Sequence, residues 1–181
     1  DLIADGSVGL VNSVALAVNG KAGIVAGRRG IVPGATLSLV NGGDLVINGP
    51  IGNGGAGSVA LSTAGSGNIT LADSGTSVIA SGSTLSIAAA GTYAQAGGIV
   101  NAPVISINGV AGVSLTGGTI AARGGAGSTI AIGGGAFTQS GGTITATGSG
   151  AAMSLTSASV SQSAGLIASD GVLTIGAGSG V

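Results

Sequence analysis

A short motif that repeats in the second half of the chain limits what the chain can fold into. Each copy has a Gln or Leu, two small residues, a glycine and a short aliphatic run. Four copies superpose without a gap, at spacings of 20, 24 and 23 residues: QAGGIVNA from Gln95, LTGGTIAA from Leu115, QSGGTITA from Gln139 and QSAGLIAS from Gln162. A period of this length is typical of a solenoid, in which each repeat stacks on its neighbours.

The residues before the motif extend the repeat. A larger apolar residue stands two positions before each Gln or Leu, namely Tyr93, Val113, Phe137 and Val160. Further back lies an alternating aliphatic pair: Leu85/Ile87, Ile105/Ile107, Ile130/Ile132, Met153/Leu155 and a last copy, Leu173/Ile175. Runs of period two rich in Ile, Val, Leu and Thr indicate strands, and the glycines between them indicate turns. Each repeat therefore predicts three short strands.

The first half of the chain carries weaker copies. Alternating pairs occur at Leu37/Leu39, Leu45/Ile47, Val59/Leu61 and Ile69/Leu71, while SGTSVIAS, ending at Ser81, resembles the third run and VALAV around Leu16 an earlier copy. The whole chain predicts about eight coils of about 22 residues in an all-β parallel β-helix, or β-solenoid. We treat residues 1–181 as a single segment, with the clearest repeats over 83–175.

Stacked coils place equivalent residues in rows. Tyr93, Val113, Phe137 and Val160 should form one interior row, and Val100, Ile120, Ile144 and Ile167 another. The glutamines at 95, 139 and 162 should lie at the edge of the core beside a corner, because a buried amide needs hydrogen-bond partners. We expect their side chains to bond the glycine-rich turn; an amide ladder between coils is the alternative.

Composition excludes several functional classes. The chain is 44% hydrophobic and 5% charged, so it must bury its aliphatic side chains and does not fit intrinsic disorder. It has no His, Cys or Glu, which rules out Ser-His-Asp and Cys-His catalysis and thiolate metal sites. The net charge of −1 gives no field to attract nucleic acid. No apolar run approaches the length of a membrane helix, so we predict no membrane insertion.

The scattered polar residues suggest no site. Asp44 and Asp73 fall about one coil apart, but both follow turns and are interpreted as solvated or turn-capping. Arg28 and Arg29 are interpreted as an exposed turn, and GNGGAG at 52–57 as a chance match to a dinucleotide-binding fingerprint. The sequence therefore predicts no catalytic residue, no cofactor and no metal.

Alternating threonines raise an ice-binding alternative. Thr143, Thr145 and Thr147 would lie on one face, as in a threonine array. The stacking prediction, however, puts Ala121 and Asn101 opposite Thr145, so the array is broken.

The segments TLSIAAAGTYAQAGGIVNA, TIAIGGGAFTQSGGTITATG and MSLTSASVSQSAGLIAS resemble the repeat region of filamentous-haemagglutinin-like exoproteins. These are large bacterial surface or secreted proteins, often exported by the two-partner route, and autotransporter passengers are similar in shape. The resemblance is clear from about residue 83 to 175 and looser before. It implies a right-handed solenoid that forms the shaft of a longer, extracellular or cell-surface protein.

The expected function is a structural fibre or adhesin shaft that supports adhesion, aggregation or matrix assembly without catalysis. The alternatives are a glycan- or ice-binding module and, last, a polysaccharide-active enzyme. A glycan or protein receptor of a host or matrix is a possible partner. With so few charges, flat faces and open coil ends have little to prevent contact between copies. We therefore expect self-association, end to end or laterally.

Overall fold

The computed structural model describes residues 2–3, 7–18, 24–26, 35–53, 57–72 and 78–178. Within these ranges the chain is all-β, its strands pair in parallel, and no helix occurs. The strands are β1 (Leu2–Ile3), β2 (Val8–Asn12), β3 (Leu16–Val18), β4 (Ile24–Ala26), β5 (Leu37–Asn41), β6 (Leu45–Ile47), β7 (Ile51–Asn53), β8 (Val59–Thr63), β9 (Ile69–Leu71), β10 (Val78–Ala80), β11 (Thr84–Ala89), β12 (Thr92–Gln95), β13 (Ile99–Ala102), β14 (Val104–Leu115), β15 (Thr119–Arg123), β16 (Thr129–Thr147), β17 (Ala152–Ser169) and β18 (Val172–Ala177).

The strands form three stacks, because each strand pairs with the strand one coil away. The first stack holds β2, β5, β8 and β11, then the beginnings of β14, β16 and β17, and finally β18. The second stack begins with β3, β6, β9 and β12. The third stack begins with β1, β4, β7, β10, β13 and β15. Strand β16 runs through all three stacks. This arrangement confirms the predicted β-solenoid.

The interior of the solenoid extends through about six turns. One inner position of the first stack recurs through the register in Val8, Leu37, Val59, Leu85, Ile105, Ile130 and Met153. These residues are all buried, whereas the next residue of the column, Leu173, is exposed. The predicted count of about eight coils is therefore not confirmed.

The predicted interior rows are confirmed. Tyr93 lies opposite Val113, which in turn lies opposite Phe137, and Val160 follows. In the third stack the register joins Val100, Ile120, Ile144 and Ile167. The first three members of each row are buried, and the last is half-buried, since β18 pairs only with residues 152–157 of β17.

The aliphatic pairs of the first half belong to two different stacks. Leu37/Leu39 and Val59/Leu61 lie in the first stack, in line with Leu85/Ile87. Leu45/Ile47 and Ile69/Leu71 lie in the second stack, in line with Tyr93 and Gln95. Inner and outer residues alternate in the same way in both stacks, so the period alone does not show to which stack a strand belongs. The third-run assignment of SGTSVIAS is confirmed for residues 78–80, since Ile79 lies opposite Val100, whereas residues 74–77 lie outside the described ranges.

Candidate functional site

The glutamines of the repeat stabilise the corner between the second and third stacks. Nε2 of Gln95, Gln139 and Gln162 donates to the carbonyl oxygen of the glycine three residues on, at 3.4, 3.3 and 3.2 Å respectively. Those glycines, Gly98, Gly142 and Gly165, have φ values of 69°, 73° and 93°. Such φ values favour glycine. The prediction that the glutamines bond the glycine-rich turn is confirmed.

The same amide nitrogen also reaches the next coil. Nε2 of Gln95 lies 3.3 Å from the carbonyl oxygen of Thr119, and Nε2 of Gln139 lies 3.4 Å from that of Leu166. One glutamine thus joins two successive corners. This explains why Leu115 can replace Gln in its coil: the corner of that coil already receives a donor from Gln95.

The glutamines differ in what their side-chain oxygen contacts. The hydroxyl of Tyr93 donates to Oε1 of Gln95 at 2.9 Å. Two coils along, Phe137 occupies the position of Tyr93 and has no hydroxyl, and the buried Oε1 of Gln139 has no hydrogen-bond partner. Burial raises the pKa of the Tyr93 hydroxyl well above its usual range, so this donor stays protonated.

A second polar cluster lies at the corner between the first and second stacks. Nδ2 of Asn12 donates to Oδ1 of Asn41 at 2.6 Å, and Nδ2 of Asn41 donates to the carbonyl oxygens of Gly43 and Asp44, both at 2.8 Å. Thr63, opposite Asn41, donates to the carbonyl oxygen of Gly67 at 2.6 Å. The sequence analysis missed this inward role. In the sequence, this role is indicated by an Asn or Thr at the last inner position of a first-stack strand.

Asp44 is a cap between coils. Its Oδ1 accepts from the backbone N–H of Asn68 at 2.8 Å and from Asn68 Nδ2 at 3.1 Å. Oδ1 of Asn68 in turn accepts from the N–H of Thr92 at 2.8 Å. Asp170 acts similarly, accepting from the N–H of Gly148 at 2.9 Å. The turn-capping interpretation of Asp44 is confirmed.

Several of the residues considered above fall outside the described parts of the chain. They are Asp73, Arg28, Arg29 and residues 54–56 of the GNGGAG segment.

In the described ranges the outer surfaces of the sheets carry few charged side chains. One outward row of the first stack is made of small residues in register: Gly9, Ser38, Ala60, Ser86, Ser106, Ala131, Ser154 and Thr174. In the described ranges the charged side chains are Asp44, Arg123 and Asp170. All three lie in turns or at the end of a strand.

The threonines do not form an array on the third stack. Asn101 lies opposite Ala121, Ala121 opposite Thr145, and Thr145 opposite Ala168. The predicted interruption of the array at this row is confirmed.

The described part of the chain contains no group of three or more acidic, His or Cys side chains able to hold a metal ion. It also contains no helix of the length and apolarity needed to cross a membrane. Comparison with protein-family models, with curated proteins and with solved structures finds no significant match for the chain.

Proposed function

We propose that the chain is a structural shaft: an extracellular or bacterial cell-surface rod that supports adhesion, aggregation or matrix assembly and carries no catalytic centre of its own. It would be a segment of a longer, filamentous-haemagglutinin-like protein. In this proposal its coils wind in a right-handed sense. They number about eight when the weaker copies and the last partial copy are counted. Copies of the segment would associate with one another, and a host or matrix glycan or protein would be the receptor.

The observation that carries the proposal is the unbroken interior. Aliphatic and aromatic residues fill the inner positions through about six turns, from Val8 to Met153. The polar side chains that point inward also join successive coils: Nε2 of Gln95 donates to the carbonyl oxygen of Thr119, and Oδ1 of Asn41 accepts from Nδ2 of Asn12. The exposed oxygen of Asp44 is also used by the next coil. Such a use of residues favours a load-bearing role, because the polar groups hold coil to coil.

The length of the rod provides a test of this role. One, two and four tandem copies would be placed between a cell-surface anchor and a receptor-binding tag, and binding of cells to immobilised receptor would be measured. Coils about 4.8 Å apart give about 29 Å for six turns, so binding through a polymer layer should rise with copy number. Gly-Ser linkers whose root-mean-square length, about 5.5 Å × √n for n residues, matches the length of each rod are the control, because a linker of equal residue number would be longer than the rod. Equal binding with solenoid and linker would contradict a shaft.

The remaining alternatives have separate tests. A glycan array would detect a glycan-binding module, and a thermal-hysteresis assay would detect ice binding. For a polysaccharide-active enzyme, Asp44→Ala and Asp73→Ala should abolish any detected hydrolysis. Under the shaft proposal neither the thermal-hysteresis assay nor the hydrolysis assay gives a signal that depends on the folded chain.

A further inference from the structure

The two halves of the solenoid differ in how much of a coil is strand. The coil that begins near Leu37 has three separate strands, β5, β6 and β7, of 5, 3 and 3 residues, and residues 42–44 and 48–50 lie between them outside any strand. The coil that begins at Thr129 is a single unbroken strand, β16, of 19 residues. Both coils have about 22 residues, so the second places more of its backbone in the ladder.

The neighbouring coils show the same difference. In the first half, β8 and β9 have 5 and 3 residues and are separated by residues 64–68. In the second half, β14 has 12 residues and crosses the corresponding corner as one strand. All four of these coils lie between two other coils of the chain. The difference therefore does not arise where the chain begins or ends.

The first-half corners depend on side chains instead. Oγ1 of Thr63 donates to the carbonyl oxygen of Gly67 at 2.6 Å and accepts from the N–H of Ala90, in the next coil, at 3.0 Å. Further along the same inner column the second half has Gly109 and Gly134, which have no side chain to offer. Individual side chains thus hold the first-half corners, whereas the strands themselves pass through this corner in the second half.

We propose that the shaft contains an extensible part: the coils that contain β5–β9 open before those that contain β14–β16, so the rod lengthens under load while its second half stays wound. Each coil of a solenoid contacts only its neighbours, so one part can unwind while the rest stays folded. A coil adds about 4.8 Å to the rod, whereas its chain extends to about 70–80 Å once unwound. The inference rests on the proposed shaft function and names the part that yields.

Hydrogen exchange in increasing concentrations of urea tests the order of opening. Residues 37–47 and 59–71 represent the first half, and residues 105–115 and 130–146 the second. Below the urea concentration at which the whole chain unfolds, we expect the backbone amides of the first half to exchange faster by about tenfold or more. Their exchange should also depend less steeply on urea, because partial opening exposes less surface than global unfolding.

Paired cysteines test each half separately. Ser38 pairs with Ala60, and Ser106 with Ala131, in one outward row of the first stack, and all four side chains are exposed. The chain has no cysteine of its own, and a strand spacing of about 4.8 Å puts each pair of Cα atoms within disulfide range. Oxidation of the Ser38→Cys/Ala60→Cys protein should slow exchange of the first-half amides several-fold. The matched control, Ser106→Cys/Ala131→Cys, should leave that exchange unchanged on oxidation.

Single-molecule stretching between the two ends of the chain connects this opening to load. Before the main unfolding event, early extensions of about 70–80 Å should appear, one for each coil that unwinds. Oxidation of the first-half cysteine pair should remove one such step, because the closed loop can no longer extend. Oxidation of the second-half pair should leave the early steps in place.

The outcomes separate this inference from the shaft itself. Equal exchange in both halves, faster exchange in the second half, or early steps that only the second-half disulfide removes would overturn the order of opening and leave the shaft standing. First-half amides that exchange no more slowly after oxidation of their own cysteine pair would do the same. A chain that extends without resistance in every form would overturn the shaft as well.

Discussion

The hydroxyl of Tyr93 donates a 2.9 Å hydrogen bond to Oε1 of Gln95, whose Nε2 reaches the carbonyl oxygens of Gly98 and Thr119. A single buried side-chain pair thus links the interior row to the corners of two coils. Gln139 makes the corner contacts but has Phe137 where Gln95 has Tyr93, and its Oε1 has no partner. The coil that contains Tyr93 and the coil that contains Phe137 can therefore be compared directly by mutation.

Exchange of the aromatic residues should change stability in opposite directions. Tyr93→Phe leaves Oε1 of Gln95 buried without a donor, which should lower the free energy of unfolding by about 1–3 kcal/mol. Phe137→Tyr offers a donor to the unpartnered Oε1 of Gln139, and should raise the free energy of unfolding by about 0.5–1.5 kcal/mol. Urea denaturation followed by circular dichroism measures both. A loss of stability in both variants would contradict the pairing.

Alkaline pH should destabilise the fold through Tyr93. Burial raises the pKa of its hydroxyl in the folded state, while the unfolded chain has a pKa of about 10. The folded state therefore binds the proton more tightly. Its contribution to stability is complete below about pH 10 and falls above that by up to about 1.4 kcal/mol per pH unit.

Two measurements check this dependence on pH. Tyr93 is the only tyrosine of the chain, so tyrosinate absorbance in the near ultraviolet should appear only as the protein unfolds. In the Tyr93→Phe variant, stability above pH 10 should fall less steeply than in the wild type. Equal slopes in the two proteins would show that another group controls alkaline unfolding.

The corner glycine should not tolerate a side chain. Gly142 has a φ of 73°, and an added Cβ would lie 2.8 Å from the carbonyl oxygens of Gly117 and Gly118. Gly142→Ala should therefore cost about 1–3 kcal/mol of stability. Gly9→Ala is the matched control, because a Cβ there meets open space, and it should be neutral or stabilise by up to about 1 kcal/mol. Similar denaturation midpoints for the two variants would be evidence against the corner geometry.

Loss of the Asp44 cap should lower stability by the contribution of its hydrogen bonds. Asp44→Ala leaves the N–H of Asn68 without its side-chain acceptor, and should cost about 0.5–1.5 kcal/mol. Asp44→Asn keeps an oxygen at this position and should restore most of the loss. Thermal unfolding of the three proteins provides the test, and an Asn variant no better than Ala would argue against the cap.

The sequence predicts the second half of the chain well because its repeats superpose without gaps. Once the four glutamine or leucine positions are aligned, the rows that contain Phe137 and Ile144 follow directly, and so does the place of Gln139 beside a corner. The positive φ of the motif glycine also follows from the tight turn.

The first half is less predictable because its turns vary in length. Strands of the first and second stacks have the same alternation, so Leu45 cannot be assigned to a stack from periodicity. Asn41-Gly42 is typical of a turn, and nothing local shows that the Asn41 amide points inward to meet Asn12, which lies 29 residues earlier. The partner of Asp44 likewise lies 24 residues away, in the next coil.

The most direct test of the stacked shaft is electron microscopy of the purified chain, with power spectra of aligned particles. A stacked solenoid should give rods whose spectra show an axial repeat of about 4.8 Å, the distance between parallel strands of successive coils. Particles without that axial repeat would contradict the solenoid as the basis of the shaft.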